Sequence, residues 1–379
     1  MTWKDTLINS ALGAEAAFDK LKSRLFDRLD HDKPYQIIYY RGYGSETAVS
    51  VTGRVLKQND LPTGSDNSRF WENLVATYQR FESDELPGVT VRVEAFGKSH
   101  TTVTDEEGYF EVMINPPDTL PVGRAWFPVS YYLEGVTQPD GQQVEKHGHL
   151  MISPPYSQFG IISDIDDTVL VTGATSILQM ARLTFLGNAY TRLPFGGVAA
   201  FYRALQSGPV TTLFNPIYYV SSSPWNLYDL LIDFFRIQGI PKGPILLRDL
   251  GLSANQLGAS SHHEHKLAMI QRVMAVNHQL PFVLIGDSGQ QDPEIYSQVV
   301  RDNPGRIRAI YIRDVTVQDR RDEAIRELIR TTEAFEVPML LVPNTVAAAE
   351  HAASLGLIDP DTLPEIRADR KADEEGGTM

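Results

Sequence analysis

FGIISDIDDTVLVTG, residues 159 to 173, runs from the apolar stretch Phe159, Gly160, Ile161, Ile162 into three aspartates within four positions, Asp164, Asp166 and Asp167. A short unbroken apolar run reads as a strand buried on both faces, so the acids stand where that strand ends. Carboxylates this close repel one another, and each costs free energy to bury unless something cationic pairs with it. The same grammar continues downstream. Apolar runs at 159–162, 217–220, 244–247, 282–285, 307–312 and 338–342 alternate with the helical segments VAAFYRALQSG, NLYDLLIDFFRIQG, HKLAMIQRVMAVNH and PEIYSQVVRDN. Strand and helix in alternation give an α/β domain with a mainly parallel sheet. Ligands of such sheets bind outside the carboxyl ends of the strands, which makes the residues after each run the candidates.

Ser163 to Thr168 follow the first run, and Ser221, Ser222 and Ser223 follow the second. Gly286, Asp287 and Ser288 follow the run at 282–285, with Asp292 five residues beyond Asp287. Lys266 is expected to open the helix before that strand. Singly these residues have plain readings: a helix cap for Asp167 or Asp292, a turn for Ser221, a solvated first-turn lysine for Lys266. Together and in order they resemble the haloacid-dehalogenase superfamily of phosphohydrolases. Asp164-Ile165-Asp166-Asp167-Thr168 matches its first motif, Ser221 the second, Lys266 the third, and Gly286-Asp287-Ser288-Gly289-Gln290-Gln291-Asp292 the fourth. The resemblance implies a Rossmann-like fold with, here, only a small cap between the first two motifs.

The chemistry suits these residue types. A carboxylate with a reference pKa of about 3.9 is ionised at neutral pH, so Asp164 can attack phosphorus without a base. Asp166, two residues on along an extended segment, is expected on the same side as a general acid and base. Mg2+ held by Asp164, the backbone carbonyl of Asp166 and Asp287 turns the crowding of carboxylates into an advantage. Ser221 or Ser222, with Lys266, would hold phosphate oxygens, and Asp292 would orient Lys266 or a metal-bound water. His262, His263 and His265 lack an i, i+4 pair and are read as a loop beside the site rather than a transition-metal centre.

Within that superfamily, Ser163 to Thr168, Tyr219 to Leu227, Leu247-Arg248-Asp249, His265-Lys266 and Ile285 to Gln290 are similar to the phosphatidate phosphatase family typified by a fungal actin-patch enzyme. The likeness covers roughly residues 156 to 345 and implies Mg2+-dependent hydrolysis of phosphatidic acid to diacylglycerol. Asn226, Arg248 and His265 become substrate-binding candidates, with a surface ion pair as the plain alternative for Arg248. The segment 174–197 carries Leu178, Met180, Leu183, Phe185 and Leu186, which suit either acyl-chain contact at a membrane periphery or ordinary core. Two other readings stay open: a soluble phosphomonoesterase or phosphoprotein phosphatase, and a catalytically silent lipid-binding module.

Ahead of this domain, residues 1–33 have helical spacing, with Leu7, Ile8, Leu12, Leu21, Leu25 and Leu29 on one stripe. Residues 34–155 break into short alternating segments rich in β-branched and aromatic residues, as an antiparallel β-sandwich would. Residues 88–112, GVTVRVEAFGKSHTTVTDEEGYFEV, resemble transthyretin-like sandwich modules. The phosphatase domain is drawn at 156–358, and the polar end, 359–379, is expected to be disordered. Length supports this division, since 379 residues suffice for two cores. A net charge of −14 disfavours sequence-independent nucleic-acid binding. No run is long enough to span a bilayer, cysteine is absent and no secretory signal is evident, so the expectation is a cytoplasmic protein.

Overall fold

The structure, a computed structural model, describes residues 34–57, 85–121, 123–166, 168, 196–210, 214–248, 259–315 and 319–376. The expected N-terminal helix, the cap interval with its apolar segment, and Asp167 lie outside the described residues.

The carboxyl-terminal part is built on six strands: β9 (Gly160–Asp164), β10 (Ile217–Pro224), β11 (Ile245–Arg248), β12 (Phe282–Asp287), β13 (Ile307–Arg313) and β14 (Met339–Val342). Their order across the sheet is β11-β10-β9-β12-β13-β14, and every pairing is parallel. The chain moves outward from β9 to β11, then returns to lay β12 on the other side of β9. That reversal opens a crevice at the carboxyl ends of β9 and β12, the topological switch point where ligands of open sheets bind.

Alternation along the strands divides the core between two faces. Ile161, Tyr219, Val283 and Tyr311 point to one face, where they meet α1 (Val198–Ser207), α2 (Tyr228–Ile237), α6 (Thr345–Ser354) and α7 (Leu363–Gly376). Ile162, Tyr218, Leu284 and Ile310 point to the other, against α3 (Ala259–Val276), α4 (Asp292–Asp302) and α5 (Asp319–Glu333).

Residues 363–376 are helical, which corrects the expectation of a disordered tail. The helix is polar in composition, yet Ile366 is fully buried and two of its acids reach a neighbouring helix. The first turn of α1 follows Gly197 at φ 81° with no side-chain cap of its own. Asp373 Oδ2 accepts from Gly197 N at 2.8 Å and Asp369 Oδ2 from Ala200 N at 3.1 Å, which serves amides that would otherwise lack partners.

The amino-terminal part is a single hydrogen-bonded sheet of eight strands: β1 (Tyr35–Tyr39), β2 (Gly42–Gly44), β3 (Val49–Lys57), β4 (Thr90–Ala95), β5 (Lys98–Val103), β6 (Tyr109–Ile114), β7 (Trp126–Thr137) and β8 (Gln143–Ile152). Pairing is antiparallel except between β2 and β8, which run parallel. The sheet curls until β5 meets β6, with Thr102 Oγ1 donating to Glu111 O at 3.0 Å, around a core that includes Val51, Val91, Phe110 and Tyr131.

This sheet also contributes to the cores of the α/β part. Ile38, Tyr40 and Leu56 sit in one and Tyr43 and Met151 in the other. Tyr40 stacks on Trp225 with ring centroids 3.9 Å apart, Arg41 N donates to Tyr228 Oη at 2.7 Å, and Ser153 Oγ lies 2.8 Å from Tyr218 Oη.

Candidate active site

Asp164 ends β9, the strand at the centre of the sheet, and is completely buried. Asp287 ends the adjacent β12, and Asp292 opens α4. One carboxylate oxygen from each of the three lies within 4.8 Å of the others. Gly286 is required at this crossing, because a Cβ there would overlap Asp292 Oδ2.

Among the described residues, one ammonium faces the three acids. Lys266 Nζ donates to Asp164 Oδ1 at 2.6 Å and also to Asp292 Oδ1. Lys266 stands two turns into α3 rather than at its start, because the helix begins at Ala259. The HHEHK segment is therefore helical, not a loop, and His265 is half-buried one residue before Lys266.

The remaining oxygens are unequally served. Asp292 Oδ2 accepts from Asp287 N at 3.1 Å, and Asp287 Oδ1 accepts from Gly289 N and Gln290 N at 2.7 and 2.9 Å. Asp164 Oδ2 and Asp287 Oδ2 are buried with no hydrogen-bond partner. Burial, with Asp292 beside it, pushes Asp287 up to about 7 against the opposing pull of Lys266 and the two amides. Asp164 is raised for the same first reason, desolvation; Lys266 offsets part of this, and Asp292, Asp166 and Asp287 add to it. Burial alone would lower Lys266, but the Asp164 and Asp292 carboxylates raise it, so it stays charged.

Among the described residues, three buried carboxylates crowd around the one ammonium that bonds two of them, and two of their oxygens lack hydrogen-bond partners. An all-oxygen donor set of this kind suits a hard dication such as Mg2+. Asp164 and Asp287 have oxygens to offer; both oxygens of Asp292 are already engaged, which fits an orienting role.

Asp166 points elsewhere. Its Oδ2 accepts from Ser221 Oγ at 2.6 Å and Ser223 Oγ at 3.0 Å, and its backbone O accepts from Gln290 Nε2 at 3.0 Å. The structure thus brings Asp164, Asp287, Asp292 and Lys266 into one cluster and ties Asp166 to Ser221. Its carboxylate is not in the group of three, while its carbonyl keeps a second lone pair. Ser222 and Asn226 are half-buried just past Ser221, Asn226 in the 3-10 turn Trp225–Leu227. Arg248 is buried at the end of β11, two strands away from β9, so an exposed surface ion pair does not describe it.

Sequence reasoning did not single out Ser223, Gln290 or Arg321. The first two lie inside motifs already recognised. Arg321 has no local signal: it reaches from α5 to donate to Ser288 O at 2.8 Å and to Gln290 O.

Residues 159–314 match the family model described as the phosphatidate phosphatase APP1 catalytic domain. The chain is 31% identical over 200 residues to phosphatidate phosphatase APP1 of Saccharomyces cerevisiae, covering 51% of this chain and 32% of that protein. It is 26% identical over 323 residues to an uncharacterized protein of Schizosaccharomyces pombe, covering 78% of this chain and 51% of that protein. This chain thus spans about a third and about half of these two relatives. A solved carbohydrate acetylesterase from Xanthomonas citri overlaps 70% of this chain and 65% of its own at 11% identity, but with a TM-score of 0.26 it carries no argument. The segment that matches the phosphatidate phosphatase APP1 catalytic domain contains the whole cluster of Asp164, Asp166, Ser221, Lys266, Asp287 and Asp292.

Proposed function

We propose that this protein is a phosphatase that hydrolyses phosphatidic acid to diacylglycerol and inorganic phosphate, on a haloacid-dehalogenase-type site. The observation that carries the reading is Asp164. It is buried at the end of the central strand, Lys266 holds Oδ1, and Oδ2 has no hydrogen-bond partner. A carboxylate fixed by one oxygen and open at the other is arranged as a nucleophile.

In the proposed reaction Asp164 attacks phosphorus and the ester oxygen departs with a proton from Asp166, leaving an aspartyl-phosphate. Asp166 then takes a proton from the water that attacks the phosphorus. Asp164 is released as a carboxylate and inorganic phosphate leaves. Ser221 and Ser223 hold Asp166 in place for both transfers, and Lys266 balances the charge of Asp164 and of the transferred group. Asp164, Asp287 and the Asp166 carbonyl would hold Mg2+, which when bound supplies charge neutralisation for the carboxylates and the phosphoryl group.

The substrate class rests on the APP1 family match and the yeast relative's name, not on the geometry, which would serve other phosphomonoesters as well. A soluble phosphomonoesterase is therefore the second reading. Phosphate release from phosphatidate in mixed micelles is compared with release from soluble phosphomonoesters, each with Mg2+ and with chelator. Turnover of phosphatidate that requires Mg2+ and is lost in Asp164→Asn is the expected result. Turnover of soluble esters alone would overturn the lipid assignment. No turnover of any substrate would favour a binding module.

A further inference from the structure

The stretch from Gly286 to Asp292 carries two of the clustered carboxylates, and these brace its backbone from within by accepting from Asp287 N, Gly289 N and Gln290 N. Further contacts hold it from outside, which adds to the order of a stretch with two glycines. On one side Ser288 N donates to Arg313 O at 2.8 Å and Val315 N donates to Ser288 Oγ at 3.0 Å, which ties the loop to the end of β13.

On the other side, among the described residues, stands Arg321. Arg321 on α5 donates from Nε to Ser288 O at 2.8 Å and from Nη2 to Gln290 O. Its Nη1 and Nη2 also form a two-point ion pair with Glu294 on α4, the second contact at 2.9 Å. The guanidinium side chain is 22% exposed. Its planar fork thereby joins two loop carbonyls to a helix carboxylate, a geometry that a lysine ammonium cannot reproduce.

What it fixes is the part of the loop that meets the site. Gly289 N and Gln290 N, flanked by the two clamped carbonyls, donate to Asp287 Oδ1, and Gln290 Nε2 donates to Asp166 O. We propose that Arg321 is a positioning residue: through Ser288 O and Gln290 O it sets the loop that aims Asp287 and links it to Asp166. Arg321 lies beyond residue 314, outside the segment that matches the catalytic-domain family. The catalytic consequence rests on the phosphatase reading; the structural one does not.

The competing role is a tie between α4 and α5 through Glu294 alone, and two variants separate them. Glu294→Gln weakens the inter-helix ion pair and leaves the loop carbonyls their donor. Arg321→Ala removes both. The expected result for Arg321→Ala is amide hydrogen exchange at Gly289 and Gln290 faster by about tenfold or more, with β12 amides unchanged. Mg2+ affinity by calorimetry and kcat should each fall by roughly 10- to 100-fold, with KM little moved. Arg321→Lys should recover part of the loop protection, and Glu294→Gln should stay close to wild type in all readouts.

Wild-type loop exchange in Arg321→Ala, or a Glu294→Gln variant as impaired as Arg321→Ala, would overturn the proposal. If the wild-type protein released phosphate from no ester, the exchange measurement would still decide the clamp, so the two readings fail separately.

Discussion

Lys266 Nζ and Asp164 Oδ1 lie 2.6 Å apart, with their side chains 3% and 1% exposed. Neither charge has solvent to fall back on, so the pair responds to mutation as a unit. Removing one partner of a buried pair typically costs about 3–5 kcal/mol, because the other is left uncompensated. Lys266→Met should lose that much stability to chemical denaturation, and Asp164→Asn in the same background should restore part of it. Additive losses in the double variant would show that the two residues are not energetically coupled.

If Asp164 and Asp287 hold Mg2+ as proposed, the ion should stabilise the folded protein, because it would neutralise buried carboxylates that repel one another. The thermal midpoint is expected to rise with added Mg2+ and to return to baseline with chelator, following the occupancy of the site. Asp287→Asn should abolish most of this shift. A midpoint that rises equally in wild type and Asp287→Asn would place the metal elsewhere.

Two hydroxyls share the Oδ2 atom of Asp166, so they can be removed one at a time. Ser223→Ala is expected to lower kcat by roughly tenfold with little change in KM, the loss of one buried hydrogen bond to a charged group. Ser221→Ala should cost more, since that hydroxyl also accepts from Ser223 N at 2.9 Å. Kinetics of the two variants at saturating Mg2+ provide the check.

Lys242 offers a pH test away from the site. Its ammonium sits 4.0 Å from the centre of the Trp126 ring, and burial together with Arg41 pushes it down to about 8 from 10.5. A folded pKa below the unfolded one means the native state binds fewer protons between those values, so stability from this group rises with pH across that window. The penalty is fully present below about pH 8 and fades as pH approaches 10.5. Lys242→Met should therefore gain stability relative to wild type at pH 7 and lose that advantage by pH 10. Lys242 is half-exposed, so screening keeps the effect below what the full shift would give. A difference between the proteins that does not vary with pH would remove the titration from the account.

Asp369 and Asp373 act as caps delivered from another helix. Replacing either with Ala should cost about 0.5–2 kcal/mol, the range for lost N-caps, and expose the first turn of α1 to faster amide exchange. Equal exchange rates in wild type and variants would argue against capping.

The α/β architecture was readable because buried parallel strands announce themselves as apolar runs, and because the site residues follow those runs directly. Asp164, Asp287 and Asp292 are local to their strands in this sense. The helical state of residues 363–376 was not readable, since its composition is polar and its stability comes from Ile366 and two caps on a distant helix. The position of Lys266 within α3 was missed because the polar residues Ser260 to His265 give no helical periodicity of their own. Arg321 was invisible for a related reason: a side chain that bonds backbone carbonyls leaves no pattern in the sequence it serves. In the amino-terminal sheet, alternation showed the strands but not the parallel pairing of β2 with β8, which depends on long-range register.

The stacked pair Tyr40 and Trp225 bears on whether the α/β part could stand without the amino-terminal sheet. Trp225 lies two residues beyond Ser223, which with Ser221 holds Asp166, and Tyr40 directly follows β1 of the amino-terminal sheet. Removing the first 155 residues would take away the rings that pack on the end of β10 and uncover Tyr218 and Trp225. The two parts are separable by composition, but a cut between them would leave aromatic surface of the α/β part bare.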